Sequence, residues 1–143
     1  MSKSAPLIVF IEDNPADVSM MRRAIGELDD KVEFRVLSDG EQALRFVEDY
    51  RKSDEPLPCV ILLDLHLPRH DGNSVLRAIN REPILEHVQV AVWTTLASPS
   101  EREETVRLGA ALYQLKPNTV EGFWELAGKL LDLCHGRAVG TAR

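Results

Sequence analysis

Five short apolar runs, each leading into a helix signal, leave this chain few folds to choose from. They are LIVFI (7–11), VEFRVL (32–37), CVILL (59–63), VQVAVW (88–93) and ALYQL (111–115). A short run rich in branched residues suits a strand buried on both faces, as in a parallel sheet covered by helices. VEFRVL alternates more, as an outer strand does. Asn14 and Pro15 read as N-cap and first position of a helix with Val18, Met21, Ile25 and Leu28 on one face. SDGE at 38–41 reads as a capping box for a helix through about Tyr50, and RKSDEPLP (51–58) as a proline-broken loop. A short helix is expected through about Asn80, and SPSE (98–101) and NTVE (118–121) start the last two, the final one running to about Cys134. Such alternation implies one α/β domain with a doubly wound parallel sheet and right-handed crossovers.

Composition narrows the function classes. At 143 residues there is room for one well-buried core and no ordinary second domain. A net charge of −6 argues against general nucleic-acid binding. No apolar run approaches a membrane span and no secretory signal stands at the start, so a cytoplasmic protein without membrane contact is expected. Cys59 and Cys134 show no metal spacing and are expected as reduced residues in unrelated contexts. Neither G-x-G-x-x-G nor G-x-x-x-x-G-K-[ST] occurs, which removes the main support for dinucleotide or phosphate-loop readings.

In a parallel sheet all strands end on one edge, where open α/β folds place their ligand sites. The first strand runs into Glu12 and Asp13, the third into Asp64, the fourth into Thr94 and Thr95, and the fifth into Lys116 and Pro117. Crowded carboxylates repel unless a cation compensates. Oxygen ligands in this number suit Mg2+, which needs only one or two carboxylates besides water and phosphate. Lys116 could hold a phosphoryl oxygen, and a carboxylate can itself be the nucleophile that yields an aspartyl-phosphate. Taken singly, Glu12 and Asp13 could be favourable charges at a helix start, and the threonines and lysine ordinary strand-end residues.

EDNPAD (12–17), LLDLHLPRHDG (62–72), TT (94–95) and KP (116–117), in this order and at these strand ends, resemble a response-regulator receiver domain. The resemblance implies a flavodoxin-like (βα)5 fold with strand order 2-1-3-4-5 and a receiver over 6–135, while GRAVGTAR, the tail over 136–143, itself reads as frayed and flexible. The resemblance also implies Asp64 as phosphoacceptor and Mg2+ held by Glu12, Asp13, Asp64 and the His66 backbone carbonyl. Thr94 would be the hydroxyl that turns to the phosphoryl group, Tyr113 the aromatic residue that follows it, and Lys116 the family's lysine, with a bond to Pro117 that is often cis. The His66 side chain and Thr95 would modulate access of water and phosphodonors.

Within the family the chain leans toward regulators that partner phytochrome-type sensor kinases, although LLDLCHGRAVGTAR lacks the aromatic residues of their dimerising extension. The partner implied is a sensor histidine kinase or phosphotransfer protein, with self-association expected through the helix at 98–109, the strand at 111–115 and the last helix. In that helix Val120, Phe123, Trp124, Ala127, Leu130, Leu131 and Cys134 read as core, while Leu126 and Leu133 widen the stripe. Two rivals stand beside this switch, which would be modified rather than turn over a substrate. One is an aspartyl-nucleophile phosphohydrolase, although haloacid-dehalogenase-like enzymes want an acid where His66 stands. The other is a pseudo-receiver that only docks.

Overall fold

The computed structural model describes residues 5–52, 55–137 and 139. In chain order the elements are β1 (Leu7–Ile11), α1 (Pro15–Leu28), β2 (Glu33–Leu37), α2 (Gly40–Tyr50), β3 (Val60–Asp64) and α3 (Gly72–Arg81). A short 3-10 turn at 83–85 precedes β4 (Gln89–Thr94), α4 (Pro99–Arg107), β5 (Leu112–Leu115) and α5 (Val120–Cys134). The strands form one parallel sheet in the order β2-β1-β3-β4-β5, as the sequence implies.

Strand side chains alternate between two cores, as a period of two requires. Val9, Ile11, Ile61, Leu63 and Val92 pack with Phe46, Tyr50, Val75, Leu76 and Ile79 of α2 and α3. On the other face Ile8, Phe10, Val60, Leu62 and Trp93 pack with Met21 and Ile25 of α1 and Phe123, Ala127 and Leu130 of α5. β3 is buried along its whole length, whereas β2 at one edge is largely exposed.

Side-chain caps fix the helix starts. Asn14, Ser98 and Thr119 accept from the backbone N–H groups of Ala16, Glu101 and Gly122, and Asp71 accepts from Ser74. In α2 the cap is one residue later than Ser38. Asp39 accepts from the Gln42 N–H at 2.8 Å, and the Gln42 side chain accepts from the Ser38 N–H at 2.9 Å. Asp39 is thus the cap, and Gln42, three residues on, reaches back past it to the preceding N–H, a variant of the capping box.

Two expectations about the last helix are corrected. Leu126 is 1% exposed and belongs to the core, while Val120 is 56% exposed at the first turn. Spacing gives the width of an apolar stripe but not which edge of it meets the sheet. The cysteines are not in unrelated contexts and not reduced: Cys59, just before β3, is bonded to Cys134 at the end of α5. Of the expected flexible tail, Arg137 folds back on Asp132 through its backbone N–H at 2.8 Å and its guanidinium at 2.9 Å. Residues 138 and 140–143 lie outside the described residues. Among the described residues, no helix is long and apolar enough to cross a membrane.

Candidate functional site at the carboxyl edge of the sheet

Backbone hydrogen bonds carry the sheet's order past its strand ends. The Glu12 N–H donates to Leu37 O at 2.9 Å, and the Lys116 N–H donates to Thr94 O at 2.7 Å. Residues that the sequence separates by a hundred positions are thereby fixed on one rim. Behind Asp64, Leu65 and His66 turn tightly against the start of α3. The Gly72 N–H donates to Leu65 O at 2.8 Å, and a Cβ on Gly72 would lie 2.4 Å from Leu65 Cα, so that position must be glycine.

Three carboxylates gather there. Glu12, Asp13 and Asp64 each offer an oxygen within 4.8 Å of the others. Glu12 is 1% exposed and Asp64 4% exposed, whereas Asp13 is open to solvent. The Lys116 ammonium sits among the acids, 2.9 Å from Glu12 Oε1, 2.9 Å from Asp17 Oδ2 and 3.4 Å from Asp64 Oδ2. Asp64 Oδ1 accepts from the His66 N–H at 3.0 Å. Beneath the ammonium lies the Trp93 ring, its centroid 5.2 Å away, which adds a cation–π contact to the ion pairs.

Burial, the nearby charge of Asp64 adding to it, pushes the Glu12 carboxyl up to about 7, against hydrogen bonds from Lys116 and from the Asn14 backbone. For Lys116 burial works toward a lower pKa. Hydrogen bonds to Asp17 and Glu12 and the charges of Glu12 and Asp64 outweigh it, so its pKa lies above the ordinary lysine range. One cation therefore faces more negative charge than it can neutralise. Glu12 Oε1 is buried, and among the described residues its partner is the Lys116 ammonium at 2.9 Å. A hard divalent cation suits that donor set: all oxygen, open to solvent at Asp13, and short of positive charge. A cleft of about 470 Å³ lined by Glu12, Asp13, Pro15, Val18 and Arg22 opens beside it.

Thr94 is fully buried at the end of β4, and its Oγ1 accepts from the Leu96 N–H at 3.4 Å. Its neighbour Thr95 points to solvent. The Tyr113 hydroxyl donates to Glu101 Oε1 at 2.6 Å and accepts from the Ser98 N–H at 3.3 Å, which ties β5 to the first turn of α4. Glu101 also pairs with His66 Nε2 at 3.5 Å, so the His66 side chain faces α4. The Lys116–Pro117 peptide is trans, not the cis form common in the family.

The structure thus brings together Glu12, Asp13, Asp64 and Lys116, sets Thr94 on the adjacent strand end, and leaves Thr95 outside. Sequence reasoning missed Asp17 and Glu101. Asp17 is the last residue of EDNPAD, in the first turn of α1, and that turn faces the same edge as the strand ends. Glu101 is the acid of SPSE, read there only as part of a helix start.

The family model for the response regulator receiver domain matches residues 8–126. The chain belongs to the response regulator receiver family. It is 32% identical over 115 residues to the protein named "Probable methanogenesis regulatory protein FilR2" of Methanothrix harundinacea, covering 80% of this chain and 74% of that one. It is 28% identical over 126 residues to the response regulator Rcp1 of Synechocystis, covering 87% and 86%. The crystal structure of Rcp1 in its Mn(2+)-bound form superposes with a TM-score of 0.79 at 26% identity, over 95% of this chain and 99% of that one. The bacteriophytochrome response regulator AtBRR gives 0.72 at 26% identity, over 99% and 98%. This receiver is a two-component signalling domain, and its acidic cluster lies where its sheet, like those of its relatives, presents the strand ends.

Proposed function

We propose that this receiver is a phosphorylatable switch in which Asp64 takes a phosphoryl group from a phosphohistidine on a sensor histidine kinase or phosphotransfer protein. The observation that carries the reading is the Lys116 ammonium held against Asp64, Glu12 and Asp17 beside a three-carboxylate cluster. An Asp64 carboxylate oxygen attacks phosphorus, the P–N bond breaks, and the imidazole leaves. Lys116 balances negative charge on a phosphoryl oxygen throughout. Glu12, Asp13, Asp64 and the His66 carbonyl would hold Mg2+, whose chemistry when bound is to neutralise the charge developing on the transferred group.

The aspartyl-phosphate adds about two negative charges and three acceptor oxygens next to Thr94. Thr94 gives up its contact to the Leu96 N–H and donates to a phosphoryl oxygen. Tyr113 then leaves Glu101 and Ser98 for the vacated space, which shifts α4 and β5 between two packings. The His66 side chain, turned toward Glu101 of α4, and the solvent-facing Thr95 lie at the rim of the site, where they modulate access of water and donors. The kinase is of phytochrome type, a reading supported by the likeness to AtBRR. The unit is a receiver over 6–135 with its tail at 136–143, working in the cytoplasm, modified rather than turning over a substrate, and able to self-associate through α4, β5 and α5.

The test is labelling with acetyl phosphate and Mg2+. Wild type should gain one phosphoryl group, lost in hydroxylamine, and Asp64→Asn none. Equal labelling of the variant would remove Asp64 from its role, steady phosphate release from small esters would favour a phosphohydrolase, and no labelling at all a docking pseudo-receiver.

A further inference from the structure

The two cysteines lie at the edge of the sheet opposite the carboxylates. Cys59 precedes β3, with its N–H donating to Leu7 O at 2.9 Å. α5 begins just past Lys116 at the carboxyl edge and runs back across the sheet, so Cys134 in its last turn arrives beside Cys59. Their Cα atoms are 4.7 Å apart, within the range that a disulfide spans, and the sulfurs are bonded across 75 residues of sequence. Both residues are half-buried, at the margin of the core.

Apart from the disulfide, this end of the helix is held at the margin of the core, against which Leu133 and Cys134 pack. Leu130 and Leu131 are buried, but Asp132, Leu133 and Cys134 are only partly so. His135 Nε2 approaches Oδ2 of Asp29, just past the end of α1, no closer than 3.9 Å. The Arg137–Asp132 pair lies within the segment itself. At its other end α5 is capped by Thr119, three residues past Lys116.

We propose that Cys59 and Cys134 are a redox modification site, a thiol pair whose oxidation clips the last turn of α5 to the amino edge of β3. With a peroxide, one thiol becomes a sulfenic acid as the O–O bond breaks and water leaves; the second thiol displaces a further water and closes the S–S bond. Two thiols lose two protons and two electrons in all, and hydrogen peroxide is reduced to two waters. A small disulfide such as oxidised glutathione achieves the same by exchange, leaving as two thiols. Partly exposed disulfides are the reducible ones, and in a reducing compartment such pairs are transient and responsive. In the reduced form the last turn of α5 frays while the sheet and its carboxyl edge stay folded.

The experiment uses the full chain, reduced or treated with hydrogen peroxide or oxidised glutathione, alkylated and mapped by non-reducing peptide mass spectrometry. The oxidised monomer should yield a peptide joining Cys59 to Cys134, reversed by a dithiol reductant of the thioredoxin class. Closing a 75-residue loop should raise the melting temperature of the oxidised form by roughly 10 °C. Amides of residues 131–135 should exchange slowly only when oxidised. In Cys59→Ser and Cys134→Ser neither oxidant nor reductant should change melting or exchange. The proposal is overturned if neither oxidant produces the linked peptide or if the cross-link forms only between chains. It is equally overturned if the bond resists the dithiol reductant, or if the linked and reduced forms melt and exchange alike.

Discussion

Replacing Lys116 by methionine keeps most of the side chain's length and takes the ammonium away from three carboxylates. Its side chain is 9% exposed, and it pairs with Glu12 at 2.9 Å, Asp17 at 2.9 Å and Asp64 at 3.4 Å. Removing one partner of a buried ion pair typically costs about 3–5 kcal/mol, because the other charge stays behind uncompensated. Here the cost depends on pH, because Glu12 can take up a proton. In wild type its folded value is about 7 against an ordinary 4.5, so its contribution to stability is complete below 4.5 and is lost as pH rises through 7. Without Lys116 the hydrogen bond and charge that favoured the carboxylate are gone, and the folded value moves higher still. Between 7 and that higher value the variant keeps losing about 1.4 kcal/mol per pH unit while wild type has levelled off. The difference between the two proteins should therefore be about 1–2 kcal/mol at pH 6 and roughly 2 kcal/mol larger at pH 8.5. Urea unfolding of both proteins at pH 6, 7 and 8.5, with a chelator present, measures it, and groups that titrate alike in both cancel. A difference that is flat with pH, or that shrinks at high pH, would refute the claim that Lys116 offsets a buried excess of negative charge.

Mg2+ binding should tighten on the order of tenfold between pH 6 and 8, since Glu12 with its raised pKa must release a proton, and Asp13→Asn should weaken it far more than Asp71→Asn, which removes only a helix cap; calorimetric titration decides. Leu126→Ala should cost about 2–5 kcal/mol in chemical unfolding, as a core leucine does, whereas Val120→Glu and Leu115→Glu on the exposed α4–β5–α5 face should unfold like wild type and sediment as monomer. Trp93, packed under Lys116, should change emission on phosphorylation in wild type and in Trp124→Phe, not in Trp93→Phe, and much less in Thr94→Ala. A full signal in Thr94→Ala would break the proposed link from phosphoryl group to Thr94.

Strands and helix starts were legible because local chemistry dictates them: branched apolar runs cannot be solvated, and Asn14-Pro15 or Ser98-Pro99 leave little choice but a helix. The acid-rich edge followed, since parallel strands must end together. What stayed hidden depended on orientation. Leu126 and Val120 exchanged places between surface and core because both lie at edges of one apolar stripe, and only the packing against β3 and β4 chooses between them. Asp17 reached Lys116 because the first turn of α1 points back over the strand ends, a direction that no spacing reports. Cys59 and Cys134 carry no pairing signal across 75 residues; they meet because α5 retraces the sheet to its amino edge. The one-residue shift from Ser38 to Asp39 arose because two overlapping cap signals share SDGEQ, and Asp39 takes the Gln42 N–H while the Gln42 side chain takes that of Ser38.

The central claim is that the carboxylate at the end of β3 is the atom group that receives phosphate. Borohydride cleaves an aspartyl-phosphate to the alcohol, homoserine, and so marks the residue that carried it. After treatment of the intact protein with acetyl phosphate and Mg2+, reduction and peptide mass spectrometry should find homoserine at position 64, and none when Mg2+ is chelated. Homoserine at position 13 or 17 instead, or at 64 without any phosphodonor, would contradict the account.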